Sequence, residues 1–222
     1  SGHSAMVTAR LAAEAKSRGM KLVVFDPMCN FAGGKASEWI PILPGTDGAV
    51  VLAMCNVIVN ELRIYDKGYL ALKTNAPYLI GPDGRYVREK GRREKILTVP
   101  GRFGLGPPLE AVGDSDDNKP LVWDAEEQKA KVYGDPSIRR YALLGEYEVR
   151  GVRCHPSFQL IRDHLKKYTP EYASQVSTVP AETIVRIARE FAEAARVGST
   201  IMIQGHELPY RPAAAVLFRG GQ

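Results

Sequence analysis

Two short groups of polar residues could bind a ligand, and each follows an apolar segment of the chain. The segment Asp26–Asn30 follows the run Met20–Phe25, and Gly45–Asp47 follows Trp39–Leu43. In open α/β sheets, ligands bind outside the carboxyl ends of strands, where carboxylates, backbone N–H groups and helix N-termini meet polar or anionic groups. The sequence therefore predicts a nucleotide-type site formed by Asp26, Pro27, Met28, Cys29, Asn30, Gly45, Thr46 and Asp47.

Each group also has a purely structural interpretation, which the sequence leaves open. Asp26 and Pro27 could simply form a turn that ends a strand, and Gly45, Thr46 and Asp47 could simply cap the following helix. The two interpretations differ in whether hydrogen bonds formed on folding use all the acceptor positions of the carboxylates, or leave some for a ligand.

The three cysteines do not indicate a metal site. Cys29, Cys55 and Cys154 are far apart and form no CxxC pair, so we expect neither a zinc site nor an iron–sulfur cluster from this chain alone. An odd number of thiols also argues against a disulfide framework. Cys154 and His155 could in principle form a nucleophilic pair, but adjacent residues on a strand point to opposite faces.

Composition narrows the class of protein. The chain has 222 residues, of which 45% are hydrophobic and 25% charged, enough for a core in one or two domains. No apolar run approaches the roughly 20 residues that span a bilayer, so we expect a soluble protein of the cytoplasm or periplasm, with any membrane association through partner subunits.

The net charge of +5 does not indicate a nucleic-acid partner, because it is concentrated in one segment. Arg85–Lys95 holds six basic and two acidic side chains and so carries +4 of the total. A basic hairpin loop is the simplest interpretation, and docking of an acidic partner protein is the alternative.

Hydrophobic patterning predicts an α/β chain. Continuous apolar character in Met20–Phe25 is typical of a strand buried on both faces of a parallel sheet. Apolar residues at helical spacing predict helices at Ser4–Arg18, Asp47–Leu62 and Pro180–Arg196. Trp39–Leu43 predicts a second strand, kept short by prolines.

The middle of the chain, residues 76–151, predicts a β-rich antiparallel insertion. Its residues 100–119 are rich in Gly, Pro and Asp and predict an irregular loop. Two hairpins are expected, which pair Tyr78–Ile80 with Tyr86–Arg88 and Pro120–Asp124 with Lys129–Tyr133.

Residues 152–222 are expected to complete the α/β domain that residues 1–75 begin. They predict a helix at Pro156–Tyr168, a short turn at Thr169–Tyr172, and a strand at Thr200–Ile203 that ends near His206 and rejoins the first sheet beside Asp26. The predicted fold is thus a Rossmann-like, doubly wound, mainly parallel sheet with an antiparallel β-hairpin insertion.

Several of these segments, in this order, resemble the dimethyl-sulfoxide-reductase family of molybdopterin oxidoreductases. The resemblance covers about two thirds of the chain. It rests on Val23–Pro27, Glu38–Asp47 with its Ala- and Met-rich helix, Ile64–Lys67, Thr74–Tyr78 and Pro180–Phe191.

The resemblance implies a cofactor and a place in a larger enzyme. The matching region is the middle of a catalytic subunit, where a Rossmann-like domain holds one guanine dinucleotide of a bis(molybdopterin guanine dinucleotide) that carries molybdenum or tungsten. Asp26 would then accept hydrogen bonds from a guanine edge or a ribose hydroxyl. Gly2, His3 and Ser4 would take the place of the family's small-residue turn on the pyrophosphate.

The same resemblance implies what this chain does not supply. A 4Fe-4S cluster and the residue that binds the metal would lie in a preceding part, and the second pterin would bind to a following domain, so the chain resembles a piece of a larger polypeptide. No catalytic or metal-binding residue is expected here, and Cys29 is not expected to bind the metal. His3 and His206 could approach the cofactor or the substrate, with solvated loop histidines as the simpler interpretation.

The implied reaction is a two-electron redox reaction or an oxygen-atom transfer on a small-molecule substrate, with no catalysis by the isolated chain. Expected partners are an iron–sulfur electron-transfer subunit, together with the remainder of the catalytic subunit, without nucleic acid and without a direct membrane span. The alternatives are a stand-alone nucleotide-binding or interaction module and a non-redox hydratase of the same family.

Overall fold

The chain forms two units, the first of which is built from both ends of the sequence. The computed structural model describes residues 2–90, 96–99, 109–112 and 118–216, with side chains for 10–90 and 118–216. The first unit comprises Ser1–Tyr65 with Leu165–Gln222, and the second comprises Asp66–His164. The second unit contains the predicted insertion 76–151.

The elements follow one another along the chain with mixed α and β character. They are α1 (Gly2–Ser17), β1 (Val23–Phe25), α2 (Phe31–Lys35), β2 (Glu38–Ile40), α3 (Asp47–Asn56), a π-helical segment (Val57–Leu62), α4 (Lys67–Lys73), β3 (Leu79–Ile80), β4 (Ile96–Val99), β5 (Leu109–Val112), β6 (Leu121–Asp124), β7 (Lys129–Val132), β8 (Tyr147–Val149), β9 (Val152–Pro156), α5 (Ser157–Leu165), α6 (Pro170–Ser177), α7 (Ala181–Ala194), β10 (Thr200–Ile203) and β11 (His206–Pro209).

The end of α1 follows from its glycine. Gly19 adopts a φ of 98°, which favours glycine over residues with a side chain. The backbone N–H groups of Gly19 and Met20 then donate to carbonyls of the last turn, at 2.9 Å to Lys16 and 3.0 Å to Ala15. These bonds satisfy carbonyls that the helix leaves open.

The strands β1 and β2 pair in parallel, with Val23 opposite Glu38 and Phe25 opposite Ile40. No third strand joins them within the described residues. The predicted doubly wound, mainly parallel sheet is therefore not found among the described residues. They form a mixed α/β structure with one parallel pair of strands. Pro41 follows β2 directly, and because proline has no N–H to donate, the ladder ends there.

The core of the first unit lies between helices and the end of β2. Ile40 and Ile42 pack with Val50 and Ala53 of α3. The opposite wall comes from α6, from α7 and from the connection between them, through Ala173, Ile184 with Ile187, and Val179 respectively. The predicted helices at 47–62 and 180–196 are thus confirmed, although the first continues from Val57 as a π-helix and ends at Arg63 with a φ of 58°.

The prediction that Thr200–Ile203 rejoins the first sheet is wrong. This strand, β10, pairs antiparallel with β11 in a two-stranded hairpin, with Ile203 opposite His206. The reason is the turn between them, where Gln204 and Gly205 both have positive φ angles, 50° and 82°. A two-residue turn of this kind reverses the chain.

Two further expectations need correction. Thr169–Tyr172 is not an isolated turn but the beginning of α6, because the Thr169 side chain accepts a hydrogen bond from the Tyr172 N–H at 3.1 Å and so caps a helix. The predicted loop 100–119 contains β5, which pairs antiparallel with β4; its residues 100–108 and 113–117 lie outside the described part.

The second unit is formed by small antiparallel sheets. Strand β9 lies between β3 and β8. The predicted pairing of 120–124 with 129–133 is confirmed as β6 with β7. The other predicted hairpin is represented by β3 and by an isolated bridge between Ile80 and Tyr86.

A buried ion pair joins β6 to β7. The Lys131 Nζ lies 2.8 Å from the Asp124 Oδ2, with the two side chains 5% and 0% exposed. Asp124 also accepts hydrogen bonds from the backbone N–H groups of Glu126, Arg139 and Arg140. The bond from Lys131 is the main reason that the pKa of the Asp124 carboxyl lies well below its usual range.

Within the described residues, no single helix is long and apolar enough to cross a bilayer. The segments Asp47–Leu62 and Lys67–Lys73 meet that criterion only together, as a bent pair.

Removing the charge of Asp124 should make the melting temperature less dependent on pH in the acidic range. Because its folded pKa is depressed, the carboxylate stabilises the fold above the unfolded pKa of about 3.9, and that contribution is lost as the pH falls toward the folded value. The Asp124→Asn variant should melt well below the unaltered chain at a pH of about 6, and the gap should narrow below a pH of about 4. Thermal melts by circular dichroism across this range measure both.

Asp83→Asn is the matched control, because Asp83 is exposed and caps a turn through the Arg85 N–H at 3.1 Å. It should leave the melting temperature nearly unchanged at every pH. A gap between Asp124→Asn and the unaltered chain that stays constant with pH would contradict the role assigned to the ion pair.

Candidate functional site

The parallel pairing of β1 and β2 places the ends of both strands at one edge of the first unit. The ladder extends one residue beyond β1, since the Asp26 N–H donates to the Ile40 carbonyl at 3.3 Å. Asp26 and Pro41 therefore leave the sheet side by side. We call this place the β1–β2 edge, formed by Asp26–Asn30 and Leu43–Asp47.

At the other end of the strands, ion pairs attach β2 to α7. The Arg186 guanidinium binds the Glu38 carboxylate through both of its terminal nitrogens, with Nη1 at 3.1 Å from Oε2. Lys21 lies 2.5 Å from Glu190 and 3.5 Å from Glu38. Hydrogen bonding to Arg186 lowers the pKa of the Glu38 carboxyl, so the network stays charged at neutral pH.

The Asp26 carboxylate is oriented by its own loop. Its Oδ1 accepts a hydrogen bond from the Met28 N–H at 2.9 Å, and its Oδ2 accepts one from the Asn30 side chain at 2.6 Å. An ionised carboxylate has about four acceptor positions, so the described residues leave roughly half of its capacity for other donors. The side chain is half-buried.

Asn30 forms the link between Asp26 and α2. Its Oδ1 accepts hydrogen bonds from the N–H groups of Ala32 and Gly33, at 2.9 and 3.1 Å, and caps that helix. The sequence indicated Asn30 only as part of a loop around a ligand. Its contact with Asp26 was not predicted.

Trp39 supports the β1–β2 edge from within β2, a role that the sequence did not indicate. Its indole Nε1 donates to the Asp26 carbonyl at 3.0 Å, from the neighbouring strand. The same ring lies against Gly33, where an added Cβ would come within 3.1 Å of the Trp39 Cδ1 and 3.4 Å of the Cys29 Sγ. The signal for Trp39 is its register opposite Val24, which becomes visible only after β1 and β2 are paired.

The second half of the edge is a turn tied to α6. The Leu43 N–H donates to the Ser177 carbonyl at 3.1 Å, and the Thr46 hydroxyl donates to the Leu43 carbonyl at 2.7 Å. Gly45 has a φ of 79°, which the turn requires. Because its hydroxyl bonds backwards, Thr46 makes no side-chain capping bond to α3.

Asp47 is the first residue of α3 and not its cap. Its side chain is half-buried, and among residues 10–90 and 118–216 the structure gives its carboxylate no hydrogen-bond partner. A carboxylate at the first turn of a helix interacts favourably with the helix dipole. Folding leaves its acceptor positions open.

Exposed apolar side chains surround these polar groups. Met28 is 71% exposed and Phe31 is 74% exposed, with Trp39 and Leu43 less so. Cys29 is exposed too. The edge therefore offers carboxylate acceptors beside apolar surface, which suits a flat ligand with N–H or O–H donors on its rim.

The described residues provide no candidate metal site. Among them, no group of three or more His, Cys, Asp or Glu side chains is placed to hold a metal ion. Cys154 is buried, its thiol donates to the Tyr147 carbonyl at 3.3 Å, and burial raises its pKa. His155 instead lies 3.1 Å from the Gly145 carbonyl through Nδ1. These two residues do not form a nucleophilic pair.

The remaining predicted residues are not brought to the edge by any described contact. Gly2, His3 and Ser4 lie in the first turn of α1, and their side chains are outside the described part, so their role stays a prediction. His206 lies exposed on the β10–β11 hairpin.

Comparison with known proteins agrees with the family resemblance of the sequence. A family model described as molybdopterin oxidoreductase matches residues 3–220. A sulfite dehydrogenase subunit from Allochromatium vinosum is 31% identical over 184 residues, which are 82% of this chain and 18% of that protein. The alpha subunit of perchlorate reductase from Dechloromonas aromatica is 30% identical over 203 residues, with coverages of 84% and 22%.

The chain spans about a fifth of the length of these curated relatives. A solved structure, acetylene hydratase from Pelobacter acetylenicus, matches 83% of this chain and 14% of its own, with a TM-score of 0.43 and 18% identity. A match with so low a TM-score supports no conclusion about this chain.

Two adjacent glycines of α2 test the packing of the edge. At Gly33 a Cβ would push Trp39, whose indole nitrogen is held by its hydrogen bond to the Asp26 carbonyl, whereas at Gly34 nothing lies within 4 Å. Gly33→Ala should lower stability by about 1 kcal/mol and shift the Trp39 emission. Gly34→Ala should raise stability by about 0.5–1 kcal/mol, because alanine is the better helix former.

Urea unfolding and tryptophan fluorescence measure the two effects. Equal stabilisation by both alanines would show that Trp39 does not pack on Gly33 as described.

Proposed function

We propose, because this chain belongs to the molybdopterin oxidoreductase family, that its β1–β2 edge binds the guanine nucleotide of a molybdopterin guanine dinucleotide cofactor. In this proposal the chain is the nucleotide-binding part of a larger catalytic subunit. The cofactor, with molybdenum or tungsten, would supply two-electron redox or oxygen-atom-transfer chemistry.

The observation that carries the proposal is the geometry of Asp26. Both carboxylate oxygens are held by donors of their own loop, and both keep acceptor capacity. The Watson–Crick edge of guanine presents two adjacent N–H donors, at N1 and N2, that match the two oxygens of one carboxylate. The apolar side chains of Met28 and Phe31 offer surface for the flat base.

Asp47 supports the proposal from the second half of the edge. Its carboxylate has acceptor positions that the fold does not use, which suits a ribose hydroxyl or a second N–H donor. The residues Asp26–Asn30 and Gly45–Asp47 contain no lysine or arginine. We therefore assign to the edge the base and the sugar, and to Gly2, His3 and Ser4 the pyrophosphate.

The metal ligand, a 4Fe-4S cluster and the binding surface for a second pterin belong, in this proposal, to polypeptide outside this chain. Both relatives are named as single subunits of their enzymes, which supports assembly with further subunits. A small-molecule substrate and an iron–sulfur electron-transfer subunit complete the proposed system.

The chain should bind GDP more tightly than ADP, and Asp26→Ala should remove that preference. Each hydrogen bond to a charged group contributes about 1.5–3 kcal/mol, so loss of one or two should weaken GDP binding at least tenfold. Binding to the purified chain can be followed by NMR titration with each nucleotide.

Asp83→Ala controls for the loss of a carboxylate, because Asp83 lies in a turn of the second unit. It should bind GDP like the unaltered chain. Equal binding of GDP and ADP, or GDP binding that survives Asp26→Ala, would overturn the proposed function.

Replacing Asp47 should affect the nucleotide more than the fold. Because Asp47 is not the cap of α3, Asp47→Asn should change the free energy of unfolding by less than about 1 kcal/mol without ligand. The stabilisation that GDP gives to the unaltered chain should be largely lost in the variant. If thermal melts with and without GDP fall equally, Asp47 is not part of the site.

A further inference from the structure

The carboxylates of Asp26 and Asp124 differ in how far the fold neutralises their charge and uses their hydrogen-bond acceptors. Asp124 is fully buried, faces the Lys131 ammonium and accepts three backbone N–H groups, so its charge and its acceptor positions are used inside the fold. Asp26 is half-buried and accepts from two neutral donors, the Met28 N–H and the Asn30 amide. Its negative charge is oriented by these donors, and no cation among residues 10–90 and 118–216 neutralises it.

The orientation of the Asn30 amide is fixed by its surroundings. Its Oδ1 accepts from the N–H groups of Ala32 and Gly33, which an amide nitrogen could not do. The Nδ2 must therefore face Asp26, where it lies 2.6 Å from Oδ2. One end of the side chain is held by α2, and the other end presents a donor to the carboxylate.

The second restraint on Asp26 acts on its backbone. Trp39 donates to the Asp26 carbonyl at 3.0 Å, and the Asp26 N–H continues the strand ladder to Ile40. With the main chain held in this way, the remaining freedom of Asp26 is rotation of its carboxylate. The donors that oppose this rotation are the Met28 N–H on Oδ1 and the Asn30 Nδ2 on Oδ2.

We propose that Asn30 is a positioning residue that makes the β1–β2 edge select guanine over adenine. The inference rests on the proposed function. With both oxygens fixed, the carboxylate can accept the two adjacent N–H donors of guanine at once. Adenine presents one amino donor beside the N1 lone pair, which repels the second oxygen. A carboxylate free to rotate could turn one oxygen to the adenine amino group, so loss of Asn30 should reduce selectivity and not only affinity.

Two substitutions separate positioning from helix capping. Asn30→Ala removes both the cap and the donor. Asn30→Asp keeps an acceptor for the N–H groups of Ala32 and Gly33, and aspartate is as good a cap as asparagine, but it replaces the donor with a second carboxylate oxygen next to Asp26. Two carboxylates that share a site raise the pKa of one of them. On protonation, the new side chain again has a donor for Asp26.

The experiment measures dissociation constants of GDP and ADP by NMR titration of the full chain at a pH of about 8 and of about 5.5. For the unaltered chain we expect a GDP preference that changes little between the two. Asn30→Ala should reduce the preference roughly tenfold at both pH values. Asn30→Asp should lose it at the higher pH and regain it at the lower pH. Asn75→Ala, which removes the Asn75–Tyr86 bond of the second unit, should keep it.

The outcomes distinguish this inference from the proposed function. If the unaltered chain prefers GDP and both Asn30 variants keep that preference at both pH values, Asn30 does not position Asp26 for the base, although the nucleotide site stands. If Asn30→Ala keeps the preference while Asn30→Asp loses it at both pH values, repulsion between the two carboxylates and not the missing donor explains the loss, and the inference also fails. If the unaltered chain shows no preference for GDP, the proposed function fails and this inference fails with it.

Discussion

Close packing of α3 against α6 and α7 is the constraint on which the β1–β2 edge depends. Ala53 and Ile184 are fully buried in this contact, and Val50 is 2% exposed. Ile40 and Ile42 enter the same core, so the end of β2 is fixed by the helices. Because protein interiors are packed to crystal-like density, even one added methylene at such a place is felt by its neighbours. The turn Leu43–Asp47 of the candidate site is therefore held in place by the apolar packing of α3, α6 and α7.

The long helices, and the local hairpin of β6 and β7, were the parts of the fold that could be predicted from the sequence. In α7, the apolar residues Ile184, Ile187 and Ala188 recur at helical spacing, and all three are buried as that spacing requires. The pairing of strands distant in sequence was harder to predict. Thr200–Ile203 has the apolar run of a sheet strand, but its partner is decided by the turn at Gln204, which a run of side chains does not reveal. Periodicity reports the local backbone and its buried face, whereas pairing depends on partners elsewhere.

The candidate site shows the same division. Asp26 and Asp47 could be selected as candidates because a polar residue after an apolar run indicates a strand or turn end, and their role as ligand-binding residues stays a prediction. The links that orient Asp26 could not. Its carbonyl partner Trp39 lies on the adjacent strand, and the dual role of Asn30 depends on a five-residue helix, α2, that has too few residues to show a periodic pattern. Gly2, His3 and Ser4 remain a prediction.

The first unit is assembled from segments far apart in the chain, with the second unit inserted between them. This arrangement has a kinetic consequence. Val50 and Ala53 reach their partners Ile184 and Ile187 only after more than 130 residues have been made, and such long loops close slowly. The second unit is continuous in sequence, so the contacts within it can form before α7 has been made. During synthesis, β1 and α3 must therefore remain without their core until α7 has left the ribosome, which makes this half of the chain the one that needs protection from aggregation.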